Sequence, residues 1–357
     1  MKGKKGSILC IVILMCCFFI KSGNDSVSSY SFNLTKLGQF QDCSFAYDVQ
    51  VIDNIAYIAD ASDGFWILNV SDLTNPIVLS HKLNNGVEHC VYVDNNIALI
   101  ADYFNGLMIF NVLNPNNPIK IGEFVNGNQI SNVVREENIA CIGDPFLSIL
   151  NISDLTHPIE IYRNEDLPVI DLIIKDDILF CLELFQGLTI LNISNPASPV
   201  EINHWYTTSV TYREMEIYND VIFMASSNGI KALNINTLTN IQDLGLYSSG
   251  NEIISLEIRN SLLYTSESST NLAIYNISDF DNFEKVGQYT ESEIRINSIF
   301  VANEIIYATA ESNGLLIIED NINTNEAYSA PFFLGLISLT IICSKVLKKK
   351  ANVNKKN

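Results

Sequence analysis

Two sets of acidic and small polar residues recur along this 357-residue chain at intervals close to 42 residues. The first is Asp48, Cys90, Asn132, Asp171, Glu214, Ser255 and Ser298, each small or polar within an otherwise apolar segment. The second is Asp60, Asp102, Asp144, Glu183, Ser226, Glu267 and Ala310, where carboxylates close an apolar segment in five of seven cases. Carboxylates drawn together from distant segments can hold a hard cation such as Ca2+ or dock a basic partner. As solvated loop residues they would only cap turns. The sequence leaves both readings open; Ca2+ is the one cofactor such a set admits, and no other is expected.

Catalytic groups are poorly provided for. The four histidines, His81, His89, His157 and His204, form neither an H-E-x-x-H motif nor a paired metal-ligand spacing. His157 lies in a proline turn, where capping is its expected role. No G-x-S-x-G elbow or phosphate-binding glycine loop occurs. Paired carboxylates are so frequent among 40 acidic residues that they say nothing about glycoside hydrolysis. The chain is therefore expected to bind rather than catalyse, with an extracellular hydrolase as the lesser alternative. Trp66, inside an alternating segment, is expected in the core.

Charge narrows the partners. All acidic residues fall between Asp25 and Glu326, whereas ten of the 21 basic residues sit at the two ends. The middle carries 11 basic against 40 acidic residues, a formal charge of −29. Such a surface repels phosphate backbones and excludes nucleic acid as a partner.

The ends have the layout of membrane segments. Lys2, Lys4 and Lys5 precede an apolar run from Ile8 to Ile20, so residues 1–23 are expected to be a signal peptide or signal anchor. Residues 331–347 form a second apolar run followed by lysines, which predicts a transmembrane helix with a basic cytoplasmic tail over 348–357. Residues 25–328 are then an extracellular domain of a cell-membrane protein. The N-x-S/T sequons at Asn24, Asn33, Asn69, Asn151, Asn192 and Asn276 become glycosylation candidates, four of them at the same repeat position.

The elements that position the two acidic sets are repeats. GFWILN, GLMIFN, FLSILN, GLTILN, GIKALN, NLAIYN and GLLIIE end at Asn69, Asn111, Asn151, Asn192, Asn234, Asn276 and Glu319, at intervals of 40 to 43 residues. Short alternating strands at this period are what four-stranded propeller blades require. LGQF at Leu37–Phe40 matches the outer-strand signatures IGEF, LGLY and VGQY, while no such strand follows Glu319. The expectation is an all-β, seven-bladed β-propeller closed by an N-terminal strand, which removes two exposed edges.

GFWILNVSDLTNP, GLMIFNVLNPNNP and GLTILNISNPASP resemble the LVIVD repeat, with Asn where that family usually has Asp. The resemblance spans residues 37 to 320. It implies a propeller, a secreted or surface setting in bacteria and archaea, and no enzymatic activity.

In a propeller the first acidic set would line the channel and the second would crowd the same face, pointing away from the membrane. That face is expected to recognise an extracellular protein or glycan, in a recognition or adhesion module; the alternative is a structural component of the cell envelope. Cys141 and Cys181 are expected on opposite faces of neighbouring blades and unpaired, with a Cys43–Cys90 bond left open.

Overall fold

The computed structural model describes residues 31–323 except 84, 85, 126, 128, 144, 208, 209, 281 and 282. The segments expected over 1–23, 331–347 and 348–357 lie outside the described residues, as do Asn24 and Asp144. Among the described residues every regular element is a strand, and no helix is long and apolar enough to cross a membrane.

The chain begins with β1 (Ser31–Phe40). Five four-stranded antiparallel sheets follow, each in sequence order. The first holds β2 (Asp48–Ile52), β3 (Ile55–Asp60), β4 (Gly64–Asn69) and β5 (Ile77–Lys82). The second holds β6 (Glu88–Asp94), β7 (Ile97–Asp102), β8 (Gly106–Asn111) and β9 (Ile119–Phe124). The third is β10 (Asn132–Glu136), β11 (Ile139–Gly143), β12 (Leu147–Asn151) and β13 (Ile159–Asn164). Then come β14 (Val169–Lys175), β15 (Ile178–Glu183), β16 (Gly187–Asn192) and β17 (Val200–Tyr206). The fifth is β18 (Tyr212–Tyr218), β19 (Val221–Ser226), β20 (Gly229–Asn234) and β21 (Gln242–Tyr247). The remaining strands are β22 (Ile253–Arg259), β23 (Leu262–Glu267), β24 (Asn271–Asn276), β25 (Glu284–Tyr289), β26 (Ser298–Ala302), β27 (Ile305–Thr309) and β28 (Leu315–Asn323).

The innermost strands touch in a closed cycle, β2 to β6, β10, β14, β18, β22, β26 and back to β2. A ring of such sheets is a β-propeller. Its hydrophobic clusters sit in the seams, each drawing side chains from two adjacent sheets. The second and third strands are therefore buried on both faces, as in IALIAD and GLMIFN, where alternation gives way to apolar runs.

Local chemistry sets the turns. The hairpins joining first and second strands place Asp53 and Asn54, Asn95 and Asn96, Asp176 and Asp177, and Asn260 and Ser261 at positive φ, the requirement of a tight two-residue turn. The recurrent glycine that opens the third strand has two reasons. Gly64 has φ +89°, and a Cβ there would meet the Lys82 carbonyl oxygen at 2.2 Å; Gly106 meets the same obstacle from Phe124. Every outer strand also carries a bulge at one register, turning Leu37, Leu79, Ile121, Ile161, Ile202, Leu244 or Val286 toward its seam.

Closure by the N-terminal strand is present: β1 pairs antiparallel with β28, from Ser31 opposite Asn323 to Phe40 opposite Leu315. It also pairs in parallel with β25 at Phe32 and Asn33, which the sequence did not suggest. That pairing fuses the last sheets into one of eight strands, ordered β22-β23-β24-β25-β1-β28-β27-β26. Trp66 is in the core, 7% exposed.

Cys141 and Cys181 are unpaired, as expected, but they are not held apart. Cys141 and Cys181 share one buried cluster, because neighbouring sheets stack face against opposite face and so bring opposite-facing residues together. The spacing therefore does not separate them. Cys43, Cys90, Cys141 and Cys181 are all free thiols.

Candidate functional site

The first polar set does converge on the channel, where it forms a belt of hydrogen bonds from sheet to sheet. Val91 N–H donates to Asp48 Oδ2 at 2.9 Å, and Cys90 Sγ lies 4.0 Å from the Val133 carbonyl, the weakest link. Asn132 Nδ2 donates to Asp171 Oδ1 at 3.0 Å, and Met215 N–H to Asp171 Oδ2 at 2.8 Å. Leu256 N–H reaches Glu214 Oε2 at 2.7 Å, and Ile299 N–H reaches Ser255 Oγ at 3.2 Å. Ser298 Oγ then donates to Asp48 Oδ1 at 2.8 Å and closes the circle. Their position on the innermost strand was legible; that each side chain spends itself on the next sheet was not.

Burial raises the Asp48 carboxyl above its usual range against four opposing hydrogen bonds, and pushes Asp171 up to about 7. Glu214 rises well above its ordinary value, first through burial and then through the charge of Asp171. Two residues further along the same strands stand Glu216 and Glu257, which the sequence reading missed. The corresponding positions in the other sheets are Gln50, Tyr92, Val134, Ile173 and Phe300, none of them charged. Burial pushes Glu216 up to about 7, and Glu257 rises well above its ordinary value through burial and the charge of Glu216. Arg259 partly offsets this pair through an ion pair with Glu257. The signal available was a period-two continuation of the polar column.

The second set is placed differently from a solvated or ligand-facing ring. Asp60, Asp102, Glu183 and Glu267 are at most 2% exposed. Asp60 accepts from Ser44 N–H at 2.9 Å, Phe45 N–H at 2.6 Å and Trp66 Nε1 at 3.0 Å. Asp102 accepts from the Phe104 and Asn105 N–H groups at 2.8 and 2.9 Å, in a space left by Gly86, whose Cβ would fall on that carboxylate. Glu183 takes the Thr189 hydroxyl at 2.7 Å and lies 3.5 Å from His204 Nε2. Glu267 takes Asn251 Nδ2 at 2.8 Å, the Thr270 and Tyr275 hydroxyls, and Lys285 Nζ at 3.3 Å. These carboxylates fasten loops to the sheet ends. Among the described residues no group of three or more His, Cys, Asp or Glu side chains is arranged to hold a metal ion.

Beside exposed carboxylates such as Asp42, Glu165, Asp166 and Glu293, this face presents rings to solvent. The turns between second and third strands carry Tyr103-Phe104, Phe146 and Phe185 in three consecutive sheets, against Ser227-Asn228, Ser268-Ser269-Thr270 and Ser312-Asn313 later in the chain. Phe104 is 64% and Phe185 65% exposed. Phe104 stands edge-on to Tyr103, with centroids 5.3 Å apart. Tyr103 stacks at 5.3 Å on His89, which stacks at 4.3 Å on Tyr47, and Phe45 adjoins Tyr47 at 4.9 Å. A continuous row of five rings results.

The sequon positions have a common structural task. The side-chain oxygens of Asn69, Asn151, Asn192 and Asn276 each accept the N–H two residues on, at 2.8 to 3.0 Å. Asn111 and Asn234, which are in no sequon, do the same at 2.9 Å. The turn alone thus accounts for asparagine at this position. Asn33 is exposed on β1.

Among known families, the LVIVD repeat matches residues 45–81, 89–125, 129–166 and 184–207. No curated protein matches the chain. Among solved structures, a computationally designed protein, Ika8, is similar in fold, with a TM-score of 0.60 and 10% sequence identity over 77% of this chain and 83% of its own.

Proposed function

This chain carries LVIVD repeats, and from that premise we propose that it is a seven-bladed propeller held at the cell surface as a recognition or adhesion module without catalytic activity. Seven is supported by the cycle of innermost strands, with β1 completing the sheet of β26, β27 and β28. Surface anchoring rests on the lysine-flanked apolar runs at both ends of the sequence. The partner is an extracellular protein or glycan.

One observation carries the reading: the face that gathers the second-to-third-strand turns exposes aromatic rings, while its buried carboxylates are saturated by the chain's own donors. Exposed rings clustered on one face suit a contact surface, since aromatic side chains contribute large area at little conformational cost. The acidic surroundings then favour a partner with positive charge at its rim.

The test uses the full chain displayed on cells. Binding of an extracellular extract or glycan array to the wild type is compared with Phe104→Ala/Phe185→Ala. A saturable partner whose affinity drops at least about tenfold in the double variant supports the reading. A partner bound equally well by both sinks the aromatic face, and no saturable partner at all returns the chain to a structural role in the envelope.

A further inference from the structure

The outer strands differ from sheet to sheet at one register. Four outer strands carry a glycine at the register just after the bulge: Gly38, Gly122, Gly245 and Gly287. At three of them the chain itself occupies the space a Cβ would take. The Leu73 carbonyl oxygen lies 2.1 Å from that point at Gly38, and the Leu155 oxygen 1.9 Å from it at Gly122. At Gly287 the occupant is Phe32, 2.9 Å away, carried by β1 where it lies alongside β25. In the sheet of β14–β17, Asn203 stands at this register and reaches the equivalent turn by donating to the Leu238 carbonyl at 2.9 Å.

Gly245 is the exception. Among the described residues nothing lies within 4 Å of its Cβ position, and it alone of the four has a positive φ, +114°. Beside it opens a hollow of about 140 Å³ lined by Ala232, Leu244, Tyr247, Phe280 and Phe283. The turn that faces it carries Phe280 where the filled seams have Leu73 and Leu155. β21 is also the last strand of its sheet, so one edge of it is unpaired. A hollow of this size, whose wall is about half polar, accepts one leucine- or phenylalanine-sized side chain.

The geometry points to a strand-addition site: β21 and its hollow take an extended segment of a partner protein whose Phe or Leu side chain enters the hollow, flanked by Lys or Arg. The molecule holds the template, since β1 adds to the edge of β25 and places Phe32 over Gly287 in the same register. Main-chain bonds to the free edge supply affinity and the hollow supplies selectivity. Charge complementarity selects the flanks: Asp243 beside the hollow is half exposed but already paired with Lys231, so the flanking preference comes from the chain between its two ends, which carries 11 basic against 40 acidic residues.

The test titrates full-length protein in detergent with the acetylated peptide KSFNLTK, built on residues 31–36. Saturable binding is expected, weakened at least about tenfold by replacing the peptide's phenylalanine with alanine and by methylating its backbone nitrogens. In the protein, Ala232→Leu fills the hollow from below and is expected to weaken binding as much. Should that variant fail to fold, the two altered peptides decide alone. Absence of binding at about 1 mM peptide, weaker than any useful affinity, overturns the site. Binding indifferent to the phenylalanine, or to backbone methylation, overturns it equally.

Discussion

Glu267 and the pair Glu216–Glu257 lie in neighbouring strands and are all largely removed from water, yet their electrostatics run in opposite directions. Glu267 sits among four donors, including Lys285, and its carboxyl is held below its usual range despite burial. Glu216 and Glu257 share one guanidinium, Arg259; burial raises both, and the charge of Glu216 raises Glu257 further. Burial alone therefore does not decide what a carboxylate does in this ring; the donors and charges around it count as well. At the sheet ends, turns and outer strands bring donors in from several directions. On the channel wall, the Met215 and Leu256 N–H groups of β18 and β22 go to Asp171 and Glu214 and not to Glu216 or Glu257.

The comparison breaks most easily at Glu267. Glu267→Ala leaves the Tyr275 and Thr270 hydroxyls, Asn251 and Lys285 without their acceptor, and is expected to cost about 3 kcal/mol in urea unfolding at pH 7. A group whose native pKa is depressed stabilises above its unfolded value and loses that contribution as pH falls through the native one. The wild type and the variant should therefore converge in stability below about pH 4. A cost that stays constant down to pH 3 would show that Lys285 and the hydroxyls do not act on the ionised form.

On the channel wall the sign reverses. Glu216 moves from 4.5 to about 7, so the native state holds the proton more tightly than the unfolded chain does. That contribution is fully present below pH 4.5, is lost as pH rises toward 7, and is flat above. Glu216→Gln should accordingly stabilise the protein by roughly 1–3 kcal/mol at pH 8 and change nothing at pH 4. Asp171, Glu214, Glu257 and Arg259 face the same stretch of channel, so the titration seen by unfolding or by carboxyl NMR belongs to the group. Equal effects of Glu216→Gln at both pH values would remove the distinction between the two regions.

The smallest effect is expected where solvent does the work. Asn151 meets one N–H in an exposed turn. Asn151→Asp keeps the accepting oxygen and should shift stability by less than about 0.5 kcal/mol. If the sequon is used, the same substitution removes one glycan mass from protein made in a glycosylating host. A loss of 2 kcal/mol or more would mean that this position resembles Glu267 and not a solvated cap.

Much of this could be read from the sequence. The hairpin at Asn95-Asn96, the glycines at Gly64 and Gly106 and the closing segment at Leu37–Phe40 are local signals, because each states a backbone conformation or a period that its own neighbours enforce. The polar column from Asp48 to Ser298 was visible for the same reason. What its members bond to was not visible, since the partner of Asp171 is Met215 N–H on the next sheet. The sealing of Asp60 by Trp66, the meeting of Cys141 with Cys181 and the pairing of β1 with β25 likewise join residues whose separation along the chain carries no pattern.

The sequence by itself determined the repeat, its strand order and which end closes the ring, because alternation and turn chemistry act within a few residues. Only the tertiary structure decided that the acidic residues flagged as a face are mostly sealed inside it, that five rings line up beside them, and that one outer glycine stands over an empty seat. Those outcomes depend on how each sheet stacks on the next, and stacking is fixed by shape and donor supply across the seam.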